Sequence, residues 1–97
     1  MERNYNEVFN EKWNILQRAK ERASESNKPK FDLAINLLYL RQDKGNSQAE
    51  IAKALHIDQK NYCQWERAQI APSLYYLIAL AKYYGVSVDR LLSPINF

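Results

Sequence analysis

Apolar and polar positions alternate along the chain with helical spacing. Between Tyr5 and Ala23 the apolar residues are Tyr5, Val8, Phe9, Ile15, Leu16, Ala19 and Ala23, and Trp13 lies at the edge of their face. Glu7, Asn10, Glu11, Asn14, Gln17, Arg18 and Glu21 take the other side. Steps of three, four and seven at 100° per residue predict one amphipathic helix. At about twenty residues it spans roughly 30 Å. The polar run Ser24-Glu25-Ser26-Asn27-Lys28-Pro29 interrupts the pattern. Proline disfavours helix at the residue before it, so this run reads as a linker.

From Phe31 to Leu92 the spacing predicts five shorter helices. The first carries Phe31, Ala34, Ile35, Leu38 and Leu40 and runs to Arg41, with Gly45 as its stop. Ser47-Gln48-Ala49-Glu50 has the form of a capping box and opens the second, which continues through Ile51, Ala52 and Leu55. His56-Ile57-Asp58 leaves room only for a tight turn, and Asp58 is placed to cap a third helix over Gln59–Arg67. Pro72-Ser73 opens the fourth, with Leu77, Leu80 and Ala81 inward and Gly85 at its end. Ser87 caps a last short helix ending near Leu91 and Leu92. The expected fold is all-α: a five-helix module over 31–93, an N-terminal amphipathic helix and linker over 1–30, and a short tail over 94–97.

Composition narrows the chemistry. The 97 residues are 46% hydrophobic and 26% charged, which suits one small globular core rather than a disordered chain. One cysteine and one histidine exclude a thiolate cluster or any site needing two histidines. No nucleophile–base pair, metal cluster or phosphate loop is present, so neither an enzyme nor a cofactor is expected. No apolar stretch matches a signal segment or a membrane span, and the expected location is the cytoplasm. The net charge of +3 is spread along the chain, so a nucleic-acid footprint has to be local.

Two short helices joined by a three- to four-residue turn are the helix-turn-helix arrangement. Small Ala52 suits a close crossing, and Ile57, Tyr62 and Trp65 would hold the third helix to the core. Its other face is left with Gln59, Lys60, Asn61 and Gln64, side chains of the kind that read base edges. On an arbitrary helix these four would be a solvated face.

Ser47-Gln48-Ala49-Glu50-Ile51-Ala52, Trp65-Glu66-Arg67, Pro72-Ser73 and the run Leu80 to Leu92, in that order and spacing, resemble the lambda-repressor-like (Cro/cI-type, XRE) helix-turn-helix family of bacteria and their phages. The resemblance covers about two-thirds of the chain. It implies a nucleoid-associated regulator that binds double-stranded DNA, usually as a homodimer on a palindromic operator, and most often a repressor. By position, Gln48 would contact a backbone phosphate, and Gln59, Lys60, Asn61 and Gln64 would face the groove. Arg41 and Glu66 fall where some relatives form an ion pair that orients the arginine toward a phosphate.

Four features depart from the family pattern. His56 stands where glycine is usual, Asn46 replaces an apolar residue, Ala68 replaces a glycine, and the loop Gln69-Ile70-Ala71 has no lysine or arginine. Tyr75, Tyr76 and Tyr83 occupy positions that are usually exposed and polar, which makes them either surface aromatics or a protein-binding face. The N-terminal stripe, including Phe9, Trp13 and Leu16, has three possible partners: the module itself, a second copy, or a foreign protein. Acids among its polar residues argue against a membrane. The alternative to a DNA-binding regulator is a protein-interaction module of the antitoxin or immunity type, using the arm or the Tyr75–Tyr76 surface.

Overall fold

The computed structural model describes residues 2–95, with side chains from Phe9 onward. Tyr5 and Val8 of the expected stripe, and Glu7 of its polar side, therefore lie outside the described side chains. The elements are α1 (Glu2–Arg22), a 3-10 turn (Glu25–Asn27), α2 (Lys28–Lys44), α3 (Gln48–Ala54), α4 (Gln59–Glu66), α5 (Leu74–Tyr84) and α6 (Val88–Leu92). The long N-terminal helix and the five helices after it match the sequence reading.

The boundary between arm and module differs from that reading. Lys28-Pro29-Lys30, read as linker, forms the first turn of α2. Proline is tolerated there because the first-turn N–H groups have no intrahelical partner to lose.

α2 is the central element. Every residue from Asp32 to Leu38 is buried, so the helix is enclosed on all sides rather than along one stripe. Leu33 and Leu37 face a core shared with Ile51, Ala52, Tyr62, Trp65, Leu80, Ala81 and Leu91. Ala34 and Ile35 face a second cluster with Leu16 of α1 and Ala68. α1 therefore lies back along α2, with Leu16 covered by the chain itself. Leu16 is 6% exposed, Trp13 packs at the edge of the second cluster, and the Phe9 ring meets Tyr39 edge-on at 6.1 Å. Of the three partners open to Phe9, Trp13 and Leu16, the module itself is the one they pack against here. Ile15, counted on the same face, points to solvent and is 66% exposed. Ile95, read as tail, packs on the second cluster.

Two polar ties hold the layers. Lys20 Nζ meets Asp32 Oδ1 at 2.6 Å and pins α1 to α2. Asn36, fully buried, donates to the carbonyls of Leu91 and Ser93 at 2.7 and 2.8 Å and accepts from Arg90 at 2.6 Å. That single side chain satisfies the carbonyls that the end of α6 leaves open.

Helix ends follow the local chemistry closely. The capping box at Ser47 is complete: Glu50 N–H donates to Ser47 Oγ at 3.1 Å, and Ser47 N–H donates to Glu50 Oε1 at 2.8 Å. Ser87 Oγ accepts from Arg90 N–H at 3.0 Å. Asp58 is the N-cap of α4 but makes no side-chain cap bond, contrary to expectation. Four helices end in a left-handed residue, at Gly45 (φ 81°), His56 (φ 58°), Ala68 (φ 59°) and Gly85 (φ 69°). After α3, α4 and α5 the next N–H reaches back five residues: Ile57 to Ala52, Gln69 to Gln64, and Val86 to Ala81. Histidine and alanine thus adopt a backbone that glycine takes without strain.

The two strained positions should respond differently to glycine. His56→Gly, at an exposed site, should raise unfolding stability by about 0.5–1 kcal/mol. Ala68→Gly should gain less, because it also removes a methyl from the second cluster, worth about 0.8 kcal/mol. Urea denaturation of both variants measures the difference.

Candidate nucleic-acid interface

The helix-turn-helix is α3, the turn Leu55–Asp58 and α4. Tyr62 and Trp65, three apart, turn one side of α4 into the core, where Tyr62 is wholly buried. Their rings meet edge-on at 5.9 Å. This leaves Gln59, Lys60 and Asn61 exposed in the first turn of α4, with Gln64 half-exposed one turn later. The structure therefore brings the four residues of the expected reading face together, and among the described residues none of them is held by a side-chain bond.

Arg41 and Glu66 form a buried bidentate pair. Arg41 Nε donates to Glu66 Oε2 at 2.5 Å and Nη2 donates to Oε1 at 3.1 Å. Arg41 Nη1 donates to the Asn46 carbonyl at 3.0 Å. Burial alone would lower the arginine pKa, but the hydrogen bond and charge of Glu66 outweigh it and leave it raised. Arg41 is thus enclosed with its donors engaged inside the chain, and its role here is to position other groups. It ties α2 to α4 and fixes the segment before α3.

Gln48, the first residue of α3, joins the same centre. Its Nε2 donates to Glu66 Oε1 at 3.0 Å, so the carboxylate at the end of α4 holds Arg41 of α2 and Gln48 of α3 together. Asn46, which departs from the family pattern, has a partner that explains it: its side-chain amide donates to the Tyr83 hydroxyl. Lys44 Nζ sits 4.8 Å from the centre of the Tyr83 ring. Tyr83 is therefore engaged with the chain and does not form a free aromatic face. Tyr62 and Tyr84 face each other with hydroxyls 3.5 Å apart. Burial raises both phenols well above the ordinary tyrosine range; the Glu66 charge adds to it at Tyr62, while at Tyr84 the hydrogen bond with Tyr62 offsets part of it, and both stay neutral.

Tyr76 is half-buried and turned toward the chain. It packs against the main core, with its ring 5.6 Å from that of Trp65. Tyr75 is 73% exposed and stands with Leu74, at 69%, on the outside of α5. Ile70 and Ile78 are exposed beside the same stretch.

Sequence reasoning passed over one feature. A cleft of about 460 Å³ opens between α1 and the helix-turn-helix, with Lys12 and Ile15 on one wall and Gln48, Cys63 and Arg67 on the other. Helical periodicity gives no sign of it, because it exists only where α1 lies against α2. Among the described residues there is no group of three metal-ligating side chains, and no helix long and apolar enough to cross a membrane.

Breaking the buried pair on one side should be costly. Glu66→Ala leaves a buried guanidinium and should lower stability by about 3–5 kcal/mol. The double replacement Arg41→Met with Glu66→Met should lose less than the two single changes added together. A double-mutant cycle in urea measures the coupling.

A helix-turn-helix family model matches residues 37–91, from within α2 to within α6. Comparisons with curated proteins and with solved structures return no match.

Proposed function

The chain belongs to the lambda-repressor-like (XRE) helix-turn-helix family, and is a DNA-binding regulator of that class; from that premise we propose that it represses transcription as a dimer on a palindromic operator. The family is a regulatory one rather than an enzymatic one. The observation that carries the proposal is the exposed face of α4, where Gln59, Lys60, Asn61 and Gln64 stand clear opposite a side locked by Tyr62, Trp65 and Glu66.

In this reading α4 enters the major groove. Gln64 pairs with a base edge, as glutamine does bidentately with adenine. Gln59 and Asn61 contact bases or the groove wall, Lys60 meets a guanine or a phosphate, and Gln48 donates to a backbone phosphate. Two copies would place their α4 helices in successive major grooves about 34 Å apart. Repression follows from occupying the site that polymerase needs, on the DNA of a bacterium or phage.

Leu16 of α1 is buried against α2, so the surface we assign to a second copy is the exposed outside of α5, with Leu74, Tyr75 and Ile78. The same face of α5 supports a second reading, in which a different protein docks there and DNA binding is secondary.

Selection of bound duplexes from a random pool at moderate salt tests both readings. Enrichment of a two-fold symmetric site is the expected result. A well-folded protein that enriches no sequence would favour the protein-docking reading. Gln64→Ala should cost about 1–3 kcal/mol of discrimination at one base position while leaving non-specific binding intact. Unchanged base preference in that variant removes Gln64 from the reading face.

A further inference from the structure

DNA affinity rests largely on cations that neutralise phosphates. On the exposed face of α4 the one charged residue is Lys60, and the loop Gln69-Ile70-Ala71 holds no cation. The cleft beside α4 holds two. Lys12 of α1 and Arg67 at the end of α4 are both exposed, and neither is in an ion pair among the described residues. Gln48 lies in the same cleft. Glu66, the one acidic residue lining it, is neutralised by Arg41, so the cleft is net positive.

Lys12 is also held in place. Leu16, one turn further along α1, is buried against Ala34, Ile35 and Ala68, and Ala68 directly follows Arg67. α1 therefore runs beside the C-terminal end of α4 as a fixed wall, and little ordering remains for its backbone on binding.

We propose that α1 is part of the DNA-binding surface, and that Lys12, with Arg67 and Gln48, grips a backbone phosphate of the duplex that α4 reads. This rests on the proposed function and extends the interface beyond the residues that match the family model.

The test uses the full chain and a duplex recovered by the selection, with anisotropy titrations over a range of salt. Lys12→Gln should lower the slope of log K against log salt by about 0.9, the value for one phosphate contact on duplex DNA. Affinity at moderate salt should fall several-fold with base preference unchanged. Arg22→Gln, which removes an exposed cation about 15 Å further along α1, should leave the slope unchanged. Cys63, the single cysteine, lines the same cleft and gives a readout in the unaltered protein. Saturating duplex should slow its alkylation by iodoacetate several-fold. An unchanged slope in Lys12→Gln, an equal fall in Arg22→Gln, or undiminished alkylation overturns the proposal. A folded wild-type chain that shows no salt-dependent binding to any duplex overturns the proposed function as well, and is a distinct result.

Discussion

The Arg41–Glu66 pair is the constraint on which the rest of the DNA-facing architecture depends. Its two charges are nearly withdrawn from water, and each needs the other to remain there. In meeting that need, the guanidinium holds the Asn46 carbonyl and the carboxylate holds the Gln48 amide. Asn46 in turn reaches the Tyr83 hydroxyl. One buried pair thus links α2, the start of α3, the end of α4 and α5. Apolar packing is non-directional and would tolerate small sliding of α3 and α4; a bidentate ion pair does not. The separation of α3 and α4 is set by this geometry.

α2 plays the corresponding role for packing. A module of this size has little core to share, yet α2 is buried all round because α1 covers its second face. Covering that face brings Leu16 against Ala68, the residue that ends α4 in a strained left-handed conformation. The methyl of Ala68 offsets part of the strain through that contact. Glycine there would relieve the backbone and lose the packing. His56 bears the same strain at an exposed turn, among the backbone shapes that histidine tolerates better than most residues.

The placement of α1 changes how the molecule is divided. Residues 1–30 read as an arm in sequence, but the Lys20–Asp32 bridge and the Leu16 contact make α1 a layer of the folded body. Leu16 on its apolar face is consequently covered, while Ile15, Ile70, Leu74, Tyr75 and Ile78 stay exposed. The same placement creates the cleft that joins Lys12 to the helix-turn-helix.

The amino-acid sequence by itself determined the local structure. Helical periodicity, the Ser47–Glu50 box, Gly45, Gly85 and Ser87 act through neighbouring residues, and local forces need no knowledge of the fold. The exposed face of α4 was legible for the same reason: Tyr62 and Trp65 are apolar at helical spacing, so their opposites had to be outside. Asp58 shows the limit of such signals, since a capping residue type stood in the capping position without making the bond. Tertiary structure alone decided the long-range pairings. That Asn36 would bind the end of α6, that Asn46 would meet Tyr83, that Tyr76 would turn inward and Tyr75 outward, and that α1 would lie on α2 all depend on contacts distant in sequence. Such contacts are fixed by which faces meet after every helix has formed, and a one-dimensional hydrophobic pattern gives the faces without their partners.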